Sequence, residues 1–145
     1  MKKVELYTDG ACRGNPGPGG WGAIIVYGCH ELPLSGGEES TTNNRMELMA
    51  AIEGLSRLKE SCEVTLYSDS KYLVDAVTLG WVYKWKSAGW KRGKEKAKNP
   101  DLWEKLLLQL DRHKVTFVWV KGHDGHAYNE RCDKLATEFA DSFRA

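Results

Sequence analysis

Four acidic residues, Asp9, Glu47, Asp69 and Asp133, stand where the surrounding pattern calls for apolar packing or for a tight exit from a strand. Asp9 closes the run Val4-Glu5-Leu6-Tyr7-Thr8-Asp9-Gly10, and Asp69 closes a second, Val64-Thr65-Leu66-Tyr67-Ser68-Asp69-Ser70. In open α/β sheets, ligands gather beyond the carboxyl ends of parallel strands. If the two runs are neighbours, their carboxylates face each other across one strand spacing, and Glu47 and Asp133, each on a helical segment, complete a cluster. Four such groups repel and take up protons unless a cation neutralises them. Oxygen ligands that leave room for water suit Mg²⁺ or Mn²⁺, and two such ions about 3.5–4 Å apart are the usual clamp for in-line displacement at a phosphodiester. Each carboxylate alone would pass for a turn cap or a solvated side chain; their joint placement points to metal.

The elements that must position them follow from periodicity. Strand signals occupy Val4 to Thr8, Trp21 to Tyr27 and, more weakly, Glu31 to Ser40, with turn residues at Gly28 and at Gly36-Gly37, which reads as an antiparallel meander. The period then changes: Leu48, Ala51, Ile52, Leu55 and Leu58 share one helical face, with Thr41 or Thr42 available as N-cap. Glu47 lies at the edge of that stripe and is expected to point toward the sheet. After the strand ending at Asp69, Ser70 can cap a helix carrying Tyr72, Leu73, Ala76 and Val77, stopped by Gly80 and followed by a second, aromatic and basic helix. Pro100 opens a helix with Leu102, Trp103, Leu106, Leu107 and Leu110 on its core face. Val115 to Val120 is a continuous apolar strand of the kind buried on both faces. A last helix carries Tyr128, Cys132, Leu135, Ala136, Phe139 and Phe143. The order predicts an α/β fold: a mixed five-stranded sheet, three antiparallel strands first and then parallel ones, with helices on both faces.

The chain has 145 residues, the size of one domain with a real core, and 1–145 is expected to be a single unit with a basic aromatic protrusion at 81–98. With 21 Lys plus Arg against 20 Asp plus Glu, the net charge of +1 says little. Its distribution says more: seven basic residues face only Glu95 between 81 and 98, a net +6 that leaves −5 for the rest. Cys12, Cys29, Cys62 and Cys132 show no CxxC spacing and read as free thiols in a reducing compartment. Met1-Lys2-Lys3 leads into a strand holding Glu5 and Asp9, not a signal core, and no apolar stretch approaches the ~18 residues of a membrane span. The expected location is cytoplasmic.

Other stretches suit nucleic acid. Gly14-Asn15-Pro16-Gly17-Pro18-Gly19-Gly20 lacks the Lys-Ser/Thr of a nucleotide-binding loop and reads as a tight connection, whose glycines would also let a nucleic-acid backbone approach. Thr41 to Glu47 opens a helix whose N–H groups favour phosphate, and capping explains Thr42 but not both Asn43 and Asn44. Trp81, Trp85 and Trp90 among lysines fit a groove where rings meet sugars or bases and Lys86, Lys91 and Lys94 counter phosphates; the plain alternative is a packed helix with snorkelling lysines. His123, flanked by glycine after a strand and near Asp133, is suited to carry protons at neutral pH.

Taken in order, Tyr7-Thr8-Asp9-Gly10, Gly14-Asn15-Pro16-Gly17, Thr42-Asn43-Asn44-Arg45-Met46-Glu47, Ser68-Asp69-Ser70, Trp119-Val120-Lys121-Gly122-His123 and Asn129-Glu130-Arg131-Cys132-Asp133 resemble bacterial type 1 ribonuclease H, over essentially the whole chain. The resemblance implies the ribonuclease H-like sheet and cleavage of the RNA strand of RNA–DNA hybrids with two Mg²⁺ ions, leaving 3′-hydroxyl and 5′-phosphate ends. It implies that Asp9 bridges both ions, that Asp133 helps hold the ion activating water, and that Glu47 and Asp69 hold the ion at the leaving oxygen. His123 would assist proton transfer or product departure. Cys12, Asn15, Asn43 and Asn44 would line a ribose-reading groove, Thr42 and Asn99 would grip a DNA phosphate, and Trp81 and Trp85 would flank the DNA strand. Two positions depart from the pattern: Ser40 replaces a frequent basic residue of the phosphate pocket, and Lys71, where Gln is frequent, brings a cation close to Asp69. The partner expected is an RNA–DNA hybrid bound by a monomer, with no membrane. An integrase- or resolvase-like DNA nuclease would share the sheet and the acids, and a non-catalytic nucleic-acid-binding module would share the sheet alone; a mere binding groove has no reason to retain mutually repelling acids.

Overall fold

The computed structural model of the chain describes residues 1–121 and 126–143. Three long strands, β1 (Lys2–Cys12), β2 (Gly17–Tyr27) and β3 (His30–Thr41), form the antiparallel meander. Helix α1 (Asn43–Ser56) follows, its Thr42 cap accepting a hydrogen bond from Arg45 N. Strand β4 (Cys62–Ser68) leads to α2 (Lys71–Thr78), capped by Ser70, and to the short α3 (Trp81–Ser87). A two-residue hairpin, β5 (Lys91–Arg92) with β6 (Glu95–Lys96), precedes α4 (Pro100–Arg112), β7 (Lys114–Trp119) and α5 (Ala127–Asp141). Strand order in the main sheet is β3-β2-β1-β4-β7, and β1, β4 and β7 are mutually parallel. This is the mixed five-stranded α/β sheet expected, and no helix among the described residues is long and apolar enough to cross a membrane.

Alternation along the strands sends successive residues to opposite faces. A side chain at Gly19 would meet Met46 of α1, and one at Gly20 would meet the backbone of α5 at Ala136, so α1 and α5 cover the two faces. The larger core lies under α1, α2 and α4 around Leu6, Leu48, Leu55, Leu66 and Trp103. The smaller one, Tyr7, Ile24 and Cys132, lies under α5, with the Tyr7 ring stacked between those of Tyr67 and Tyr128.

Two expectations are corrected. β1 does not stop at Asp9: its antiparallel pairing with β2 runs on to Cys12, whereas its parallel ladder with β4 ends at Tyr7–Tyr67. β7 is not buried on both faces; it is the sheet's edge strand, leaving Thr116 and Trp119 exposed, because no further strand among the described residues pairs beyond it. The aromatic basic helix ends at Ser87, since Gly89 and Trp90 adopt positive φ and turn the chain into the β5–β6 hairpin.

Candidate active site

Asp9 and Asp69 come together because β1 and β4 are parallel neighbours, and both lie just past the last paired residues of that ladder. Asp9 pairs with Gly22, whose face α5 covers, whereas the next residue, Gly10, faces α1. A Cβ on Gly10 would lie 2.5 Å from Glu47 N and 2.7 Å from the Met46 carbonyl carbon. Only glycine allows the start of α1 to rest against β1, and this brings Glu47 to Asp9. Gly10 N then donates to Asp9 Oδ1 at 2.9 Å and to Glu47 Oε1 at 3.1 Å.

Gly10→Ala is therefore expected to cost about 1–3 kcal/mol, as overpacking a tight contact does, and to lower activity by displacing Glu47. Urea denaturation and a rate assay check this, and an unchanged midpoint with normal rate would contradict it.

One carboxylate oxygen from each of Asp9, Glu47 and Asp69 lies within 4.8 Å of the others. Asp133, one position past the buried Cys132 on α5, lines the same cavity of about 520 Å³. Asp9 and Glu47 are buried, at 5% and 3% exposure. Burial, then the charges of Asp69 and Asp133, raise Asp9 to a pKa of about 8. Burial, then Asp9 and Asp69, push Glu47 well above the ordinary carboxylate range. The second oxygen of Glu47 is buried and receives no N–H or O–H donor among the described residues, and the Glu47 and Asp9 carboxyls lie close enough to share a proton. An all-oxygen set, two acids held above their normal pKa and one oxygen without a donor fit a hard divalent cation, which would satisfy that oxygen and replace protons as the neutralising charge.

Cys12, Asn43, Asn44 and Lys71 line the same cavity. Asn15, Thr42, Asn43, Asn44, Lys98 and Asn99 line a second of about 160 Å³, which unites three of the ribose-groove candidates with both phosphate-pocket candidates. Asn99 is already engaged: its Oδ1 accepts from Arg45 Nη1 at 3.3 Å, and its Nδ2 donates to Tyr72 Oη at 3.3 Å. Arg45 is locked in turn by a two-pronged bond to Asp101. Lys71 lies near Asp69 in sequence, but its ammonium rests over the Trp119 ring.

The protrusion splits the aromatic candidates. Trp81 is 40% exposed, whereas Trp85 is buried against Tyr72 and Trp103, with the Arg92 guanidinium 6.0 Å from its ring centroid. Trp85 still lines a small cavity with Asn44, Arg92 and Lys98. Lys86 pairs loosely with Glu104, while Lys91 and Lys94 are exposed on the hairpin and its turn. His123 lies outside the described residues. Arg45 and Tyr72 were not assigned roles by sequence: Tyr72 sits on the core face of α2, and periodicity cannot show that its hydroxyl meets Asn99. Gly10 and Gly19 admit α1, and Gly20 and Gly22 admit α5.

A family model, RNase H, matches residues 1–141. The ribonuclease H of Rippkaea orientalis is 65% identical over 136 residues, covering 93% of this chain and 83% of that protein. That of Erythrobacter litoralis is 63% identical over 142 residues, covering 97% and 98%. Among solved structures, LC9-RNase H1, a type 1 RNase H with the type 2 active-site motif, aligns with a TM-score of 0.87 at 33% identity, over 98% of this chain and 74% of that one. LC11-RNase H1 in complex with an RNA/DNA hybrid aligns with a TM-score of 0.69 at 28% identity, over 98% and 99%.

Proposed function

The chain belongs to the RNase H family, and on that premise we propose that its acidic cavity hydrolyses the RNA strand of RNA–DNA hybrids with two Mg²⁺ ions, Mn²⁺ substituting. The observation that carries this is the convergence of three carboxylates within 4.8 Å, with Asp133 on the same cavity. When bound, the ions would supply Lewis acidity to the scissile phosphate and a lowered pKa to an attacking water. Asp9 is the ligand best placed to serve both ions, with Glu47 and Asp69 on its α1 and β4 sides and Asp133 on its α5 side. Gly10 N holds the Asp9 and Glu47 oxygens in fixed relation, so the ligands are positioned before substrate arrives. His123 is assigned the proton-carrying role. One chain supplies all four acids, and a monomer suffices.

Substrate recognition divides by strand. Cys12, Asn15, Asn43 and Asn44 face the ribose side, where 2′-hydroxyls distinguish RNA from DNA. Thr42 and Asn99 hold a phosphate of the DNA strand, with Trp81, Trp85 and the basic hairpin beyond. Incubating the chain and Mg²⁺ with labelled RNA–DNA hybrid, double-stranded RNA, double-stranded DNA and a branched DNA junction tests this reading. Cutting confined to the hybrid's RNA strand, with weak sequence preference, is expected. Cutting of the junction alone would favour a resolvase-like enzyme, and binding without cutting would favour a silent module.

Neutralising Lys86, Lys91 and Lys94 together is expected to weaken hybrid binding with little change in the saturated rate, since phosphate contacts hold the substrate away from the reacting bond. The log–log salt slope should flatten by about 1 unit per lost contact. An unchanged slope in the triple variant would show that these lysines do not touch phosphate.

A further inference from the structure

Lys71 and Trp119 form a pair to which the nuclease reading gives no joint role. Trp119 ends the edge strand β7 and is 42% exposed. Its indole Nε1 donates to the backbone carbonyl of Asp69 at 3.2 Å, and the Lys71 ammonium lies 4.6 Å from its ring centroid. Lys71 also lines the cavity that holds Asp9, Glu47, Asp69 and Asp133, yet it takes part in none of the ion pairs formed among the described residues. A compact cation on a flexible stem beside four acids has an obvious alternative, which is to turn inward and compete with a divalent ion for their oxygens. The negative face of an indole ring is a competing resting place.

We infer that the Trp119 ring holds the Lys71 ammonium beside the acid cluster rather than inside it, and thereby sets the affinity of the cluster for its divalent ion. The inference rests on the metal-dependent reading given above. The indole N–H performs a separate task. Val120 N donates to Ser68 O at 2.9 Å and Ser70 N to Ser68 Oγ at 3.0 Å, and the indole adds a bond to the next carbonyl, fixing the backbone that carries Asp69. Trp119 is thus a positioning residue with two separable contributions, because Phe keeps a ring face without the N–H and Leu keeps neither.

Isothermal titration of the full chain with Mg²⁺, alongside thermal melting, tests the inference. Trp119→Leu is expected to weaken Mg²⁺ binding by about two- to fivefold, the ratio that an exposed cation–π contact is worth. Trp119→Phe should bind nearly as the unsubstituted chain does. Adding Lys71→Gln to Trp119→Leu should restore affinity, since no ammonium remains to compete, whereas a purely structural loss would not be rescued. Undiminished binding by Trp119→Leu, a double variant as weak as the single one, or Trp119→Phe as weak as Trp119→Leu would each overturn the inference. An unsubstituted chain that binds no Mg²⁺ would remove the nuclease reading with it; one that binds Mg²⁺ and cuts hybrid while the Trp119 series stays flat would remove this inference alone.

Discussion

Replacing Asp9 by Asn is expected to lower the rate of hybrid cleavage by at least about a thousandfold, because the residue proposed to serve both ions loses its charge and several kcal/mol of transition-state stabilisation goes with it. Hybrid affinity is expected to survive, since the groups proposed to hold the substrate, the two asparagines at the start of α1 and the basic hairpin, are unchanged when one carboxylate oxygen of Asp9 becomes an amide nitrogen. The fold survives as well: Asp9 is paired through its backbone to Gly22, and Asn occupies the same space. In metal-free buffer the variant melts higher than the parent chain. Burial and the charges of Asp69 and Asp133 oppose ionisation of Asp9, and the amide removes that opposition. Rates under saturating substrate, filter binding and a melting curve in chelator check the three parts. Near-normal Mg²⁺-dependent turnover would sink the two-ion assignment.

Metal-free stability should fall as pH rises from about 4 to 8, opposite in sign to the contribution of the ion-paired Glu31, Glu60 and Asp101, whose lowered pKa values act below that window. Asp9 titrates at about 8 in the folded chain against 3.8 for an ordinary aspartate, and Glu47 is displaced in the same direction. Between those limits the folded chain binds more protons than the unfolded one, so the slope of unfolding free energy with pH is negative. For Asp9 the destabilisation is absent below about pH 4 and complete above about pH 8, and Glu47 adds to it in the same direction. At about 1.4 kcal/mol per unit of displacement its size is on the order of several kcal/mol, shared between two interacting acids. Mg²⁺ replaces the protons, so the gap between melting temperatures with Mg²⁺ and with chelator should widen across the same window. Melting curves taken at intervals from acid to mildly alkaline pH measure both slopes. Chelated protein that grows more stable toward pH 8 would show that the acids are not held against one another.

What the sequence made legible was the part governed by local chemistry. The Thr42 and Ser70 caps and the stripe that turns Glu47 inward are set by a few neighbouring residues, and each stands in the structure as expected. The parts that escaped are set by distant ones. An apolar run such as Val115 to Val120 carries no mark of whether another strand will pair beyond it, so the edge position of β7 was hidden. Trp81 and Trp85 look alike in sequence, yet packing on Tyr72 and Trp103 buries only the second. Gly10 gives no sign in the sequence that α1 will rest on it. The indole bond from Trp119 to Asp69 spans 50 residues and leaves no periodic signal.

Anomalous diffraction from crystals of the chain bound to Mn²⁺ and a short RNA–DNA hybrid with a non-hydrolysable linkage would locate the ions and count them. Two Mn²⁺ peaks are expected in the acidic cavity, both contacting Asp9, one also held by Glu47 and Asp69 and the other by Asp133, with the scissile phosphate between them. A single ion, or ions bound away from Asp9, would contradict the two-ion assignment.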